Sequence, residues 1–181
     1  ISDNPKCRAV IFRSSQKHFC AGADLKERKE MNENEIFDFL AKINCLFDTI
    51  SNLSCPTICS INGAALGGGF ELALSCDFRI ASEIAYVGLT ETSLGIIPGA
   101  SGIYRLSNIV GLSKAKYWVF TAQKFSAVSA HADGAIDIIT TEEELLGTTL
   151  EVAQEILDNA PLAIKSSNNL FKLLRPDKNI F

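Results

Sequence analysis

The chain has 181 residues, 47% of them hydrophobic and 21% charged, and a formal net charge of −4. That composition fits one globular domain burying roughly 70% of its unfolded surface. It offers no apolar run of the roughly 20 residues that would cross a bilayer, and no overall electrostatic grip on nucleic acid.

In chain order, Ser2, Asp3, Asn4 and Pro5 read as a turn leading into a strand over residues 7–13. Residues 14–17 form a polar loop, 19–25 a strand end and turn, and 26–29 a charged, solvated stretch. Asn32 followed by Glu35 predicts a capping box, and Ile36, Phe39, Leu40, Ile43, Leu46, Phe47 and Ile50 then recur at spacings of three and four. That is a packing helix ending near Asn52. Residues 56–61 read as a buried strand, 78–81 as another, and 86–89 as a short edge-like one. Residues 91–99 are a turn-rich loop. Helices follow over 101–110, stopped by Gly111, and over 114–121. The sequence leaves 126–131 undecided. Residues 135–140 predict a strand, Thr141 with Glu144 a second capping box, and 162–174 a final helix. Short strands alternating with helices give an α/β class in one domain spanning 1–181.

Six cysteines stand singly: Cys7, Cys20, Cys45, Cys55, Cys59 and Cys76. The absence of Cys-x-x-Cys pairs, with His18 and His131 far apart, predicts no metal site. Buried reduced thiols are expected, as in an intracellular compartment.

The most informative stretch is residues 61–77. A buried strand runs into Gly67-Gly68-Gly69, and Phe70, Glu71, Leu72, Ala73 and Leu74 then suit a helix. Glycines allow close approach to the backbone, and the first amides of a helix have no internal partner. Such a place suits an oxygen that becomes negative during a reaction. The bland alternative is a glycine turn that only packs a helix on a sheet.

With His18 to Lys26, Asp77, Gly88-Leu89-Thr90-Glu91 and Gly95 to Gly99, this stretch resembles the enoyl-CoA hydratase (crotonase) family, most of all its mitochondrial methylglutaconyl-CoA hydratase branch with AU-rich RNA binding. The likeness runs from about Cys7 to Ser113. It implies a spiral of strand–strand–helix units truncated at both ends, with the helical C-terminal part incomplete from about residue 142. It also implies hydration of an α,β-unsaturated acyl-CoA, with coenzyme A belonging to the substrate and no separate cofactor. Carried over residue by residue, the oxyanion-hole amides fall on Ala23 and Gly68. Glu71 would activate water and Glu91 would protonate the α-carbon. Ala21, Ala23, Asp24, Leu25, Lys26 and Gly68 would meet CoA and substrate, with Leu25 against adenine, Asp24 fixing the loop, and Lys26 and Arg28 as phosphate candidates. A homotrimer or a dimer of trimers in the mitochondrial matrix is implied, and no membrane association.

Singly, Glu71 reads as a helix-dipole partner and Glu91 as a loop acid. Together with both glycine motifs they read as a catalytic pair. The isomerases of the family generally keep one of these acids, so two favour hydration. Residues 125–134 depart from the family, with Ser129 and Asp133 where an acid and an apolar residue are usual, which predicts a loosened supporting helix. His131 is expected at the surface. Two other functions compete: an RNA-binding module, for which the helix after Asn32 offers no basic stripe, and a non-catalytic CoA-binding relative.

Overall fold

The computed structural model describes Asn4 and residues 6–174, so most of the expected Ser2–Pro5 turn lies outside the described residues. Among the described residues, seven strands form two sheets. The first holds β1 (Val10–Arg13), β2 (Thr57–Ile61), β4 (Phe78–Ser82) and β7 (Ile138–Thr140) in the order β1-β2-β4-β7, all parallel. The second holds β3 (Ala64–Leu66), β5 (Tyr86–Gly88) and β6 (Phe125–Ser126) in the order β3-β5-β6. Here β3 and β5 run parallel, and β6 joins antiparallel.

The chain alternates between the sheets. β2 enters the first, β3 the second, and helix α3 (Gly68–Ser75) closes the turn. β4 and β5 repeat the pattern, followed by α4 (Gly102–Val110) and α5 (Leu112–Thr121). An earlier turn has β1 in the first sheet and a bridge from Cys20 to Ala65 beside the second, then α1 (Leu25–Glu30) and α2 (Glu33–Ser51). The expected strand–strand–helix spiral is what forms. Parallel strands covered on both faces should be apolar along their whole length, and β2 is buried at all five positions.

Two apolar clusters hold the layers. Phe70 of α3 stacks on Trp118 of α5 at 5.8 Å, and Trp118 stacks on Phe125 at 3.9 Å. On the far face, Ile58 and Ile80 of the first sheet pack against Leu145 and Ala153 of α7 (Leu145–Leu157). The ion pair of Arg79 with Asp137 spans 2.9 Å, and the Arg79 guanidinium also donates to the carbonyls of Cys76 and Ala135. The buried cation is therefore hydrogen-bonded as well as paired.

Several expectations are corrected. Residues 86–89 are no edge: β5 pairs on both sides and Val87 is fully buried. Lys26, Glu27 and Lys29 are exposed and Arg28 is partly buried, and the stretch is helical, because the Asp24 side chain caps α1 by accepting from Lys26 N. Leu46, expected on the packing face of α2, is exposed. The Thr141 hydroxyl meets both the amide and the carboxylate of Glu144, but α7 begins after them. The 125–134 region is not loosened. It forms β6 and α6 (Ala127–Ala132), and Asp133 accepts from Trp118 Nε1 at 2.8 Å and pairs with Lys114 at 2.9 Å. That pairing holds the Asp133 carboxyl below its ordinary range. Three cysteines are buried, but Cys45 is exposed. The final helix, α8 (Pro161–Leu173), buries no residue and leaves Leu162, Leu170, Phe171 and Leu173 exposed.

Candidate active site

The turn at Gly67 requires glycine, since its φ is +53°. It lets α3 start directly under the 20–24 loop. A Cβ on Gly69 would meet Cys20 O at 2.0 Å, and one on Gly22 would lie 3.2 Å from Gly68 N. One on Gly68 would sit 4.0 Å from both Ala23 N and Glu71 Oε2. Strand geometry and glycine packing thus bring the amides of Ala23 and Gly68, 45 positions apart in the sequence, to one spot, with the Glu71 carboxylate facing it.

Glu71 lies in the first turn of α3 and is 3% exposed. Its Oε1 accepts from Ala100 N and Gly102 N, both at 2.9 Å. No room is left at Gly102, where a Cβ would stand 2.6 Å from the same oxygen. Burial raises the Glu71 pKa; the two amides and the Arg105 charge pull it back. Glu91 opens a 3-10 turn, Glu91–Leu94, after β5. It too is buried, and its Oε2 has no partner among the described residues. Its other oxygen would stand 3.2 Å from a Cβ on Gly67, so both acids border the glycine turn. Burial pushes Glu91 up to about 7, with Glu71 adding repulsion.

Around the mouth, Ala21, Ala23, Asp24, Leu25 and Lys26 are exposed. Asp24 fixes the loop by capping α1. Arg28 lies over the Phe39 ring at 5.4 Å, so stacking accounts for this candidate phosphate ligand. His131 is exposed, with Nδ1 2.9 Å from Ile136 O. Sequence reasoning missed Ala100 and Gly102 as holders of Glu71. Its only signal was the small-residue run from Gly99 to Gly102. An apolar cavity of about 500 Å³, lined by residues including Leu74, Ile109 and Phe171, opens elsewhere, and neither acid lines it.

Buried carboxylates with unequal donors beside paired backbone amides can divide proton transfer and stabilise an oxyanion. Known proteins resemble the chain in sequence and in fold. Residues 1–174 match the model of the enoyl-CoA hydratase/isomerase family. Over 166 residues the chain is 46% identical to the probable enoyl-CoA hydratase 2, mitochondrial, of Arabidopsis thaliana, covering 91% of this chain and 55% of that protein. It is 41% identical over 170 residues to human methylglutaconyl-CoA hydratase, mitochondrial, covering 91% and 50%. The crystal structure of enoyl-CoA hydratase from Bacillus anthracis superposes with a TM-score of 0.93 at 40% identity, covering 95% of this chain and 67% of that one. The chain thus spans about half the length of these curated relatives. A match along nearly the whole chain, on the spiral already described, makes this chain a member of the enoyl-CoA hydratase/isomerase (crotonase) family.

Proposed function

We propose that the protein carrying this chain hydrates an enoyl-CoA thioester. The observation that carries the reading is that Ala23 N and Glu71 Oε2 each lie 4.0 Å from where a Cβ on Gly68 would stand, with Glu91 beside the same glycine turn. The thioester oxygen accepts from Ala23 N and Gly68 N. As hydroxide adds to the β-carbon, negative charge collects on that oxygen, where two preorganised amides contribute several kcal/mol.

Glu71 takes the proton from water through Oε2, because Oε1 is occupied by two amides. Glu91 gives a proton to the α-carbon. A pKa of about 7 leaves it roughly half protonated at neutral pH, the state an acid needs. Water's hydrogen and hydroxyl are thus both delivered, and the proton on Glu71 returns to Glu91 through solvent after each turnover. Ala21, Asp24, Leu25 and Lys26 form the CoA side of the mouth. Leu25, half exposed, is free to lie against adenine.

A branched substrate such as 3-methylglutaconyl-CoA is supported by the name of the human relative, and a mitochondrial location by the names of both the plant and the human relatives. Assembly into trimers or pairs of trimers rests on the family likeness; α8 leaves an apolar side uncovered that further chain or another copy would bury.

The test uses the intact protein and a panel of enoyl-CoA thioesters, following formation of 3-hydroxyacyl-CoA. E71Q and E91Q should each lower kcat by about 10²–10⁴-fold. Normal turnover in either folded variant would refute the assignment.

A further inference from the structure

Glu71 is held by a loop that is itself held. Each of residues 99–101 is tied to α2 or α4. Gly99 O accepts from Asn44 Nδ2 at 2.8 Å, and Ala100 O accepts from Arg105 Nη1 at 2.6 Å. Ser101 Oγ donates to Asn44 Oδ1 at 2.9 Å. Arg105 is buried and pairs through Nη2 with Asp48 Oδ1 at 2.7 Å. Ser101 also holds a φ of +64°, a left-handed conformation that a non-glycine residue keeps only when its surroundings impose it. Without these ties, nothing in the local sequence would aim the amides of Ala100 and Gly102 at a single carboxylate oxygen.

We propose that Asn44, Asp48 and Arg105 are positioning residues that lock the 99–102 loop and thereby set the orientation and ionisation of Glu71. Burying a guanidinium costs several kcal/mol of desolvation, which packing alone does not recover and an apolar side chain would avoid. The retained cation grips the carbonyl next to the amide that holds Glu71, and its charge favours the ionised carboxylate. Of the charged groups around Glu71, Arg105 acts from α4, Glu91 from the 3-10 turn, and Asp48 stands behind Arg105 on α2. Removing Arg105 takes away the charge that favours the ionised Glu71 carboxylate, and burial then raises it further. The catalytic consequence rests on the hydratase reading; the effect on the Glu71 carboxylate does not.

The experiment is a carbon-13 titration of the Glu71 carboxylate, assigned by its loss in E71Q, in the wild type, R105M and R105K. In R105M the Glu71 midpoint should move up by about one pH unit, the low end for a close opposite charge that is already shared with Asp48. R105K should restore most of the shift, which a merely structural role would not predict. Should R105M fail to fold, N44A gives the same readout. It frees Gly99 O and Ser101 Oγ, shifts the amide resonances of Ala100 and Gly102, and raises the Glu71 midpoint. An unchanged Glu71 midpoint in folded R105M or N44A overturns the proposal. The hydratase assay separates the two questions. If turnover exists, the acid limb of the kcat profile should rise in R105M with KM nearly unchanged. If the wild type shows none, the function fails while the titration still decides the positioning.

Discussion

Gly102→Ala tests the site through a single methyl group. A Cβ there would lie 2.6 Å from Glu71 Oε1 and 2.7 Å from its Cγ. Real Cβ atoms do not approach so closely, so the carboxylate must leave. It then loses two amide hydrogen bonds of 2.9 Å, each worth about 1.5–3 kcal/mol to a charged acceptor. Rotation and solvent recover part of that. A net loss of about 2–3 kcal/mol in the transition state predicts a fall in kcat of about 30- to 160-fold. The pKa of Glu71, already raised by burial, should climb further once the donors are gone, and the acid limb of the pH–rate profile should follow it upward. Gly147→Ala is the control. It lies inside α7, where a Cβ would meet nothing within 4 Å, and it should stabilise the chain by about 0.5–1 kcal/mol without touching kcat. The assay is steady-state hydration of a short enoyl-CoA beside a denaturant melt. A folded G102A protein with wild-type kcat would refute the idea that these two amides hold Glu71.

Burial raises Glu91 from its ordinary 4.5 to about 7, so the folded state keeps a proton that the unfolded chain releases in that window. Wild-type stability should therefore fall from pH 5 to pH 8 by up to about 3 kcal/mol more than that of E91Q, read by urea melts; parallel curves would argue against a buried, protonated Glu91. Asp133→Ala leaves Trp118 Nε1 without its acceptor and should cost about 1–3 kcal/mol, followed by the fluorescence of the chain's one tryptophan. Asn32→Ala removes the cap of α2 and should cost about 0.5–2 kcal/mol in the same melt; no change would show that the helix is held by packing alone.

What the sequence made legible was local. The Asn32–Glu35 capping box needs only two side chains and two amides three positions apart, and both of its hydrogen bonds are present at 3.1 and 2.8 Å. The stop at Gly111 and the buried strand before Gly67 are of the same kind. Of the second sheet only β5 was legible, as a short strand over 86–89; β3 has three residues and β6 two, too short for periodicity. The six residues of α1 bury nothing, so no apolar pattern announces them; a cap makes that helix. Asp133 looked like a defect because its compensation, Trp118, is fixed only when α5 and the 132–134 turn meet.

The two acids show the same divide. Glu71 and Glu91 are both glutamates, both buried, and both beside the glycine turn. Burial alone would raise both and leave no division of labour. The difference is that Oε1 of Glu71 receives two amides and the Arg105 charge favours its ionised form, whereas Oε2 of Glu91 receives nothing among the described residues and the Glu71 charge disfavours its ionised form. Those donors are backbone groups, identical in every non-proline residue, so no residue type betrays them. What a reader can find is the permission for them: a small residue at 100, glycine at 102, and an arginine three positions on. An acid's role here is thus written less in the acid than in the residues that let the backbone turn toward it. Replacing Gly102 should therefore damage Glu71 almost as surely as replacing Glu71 itself.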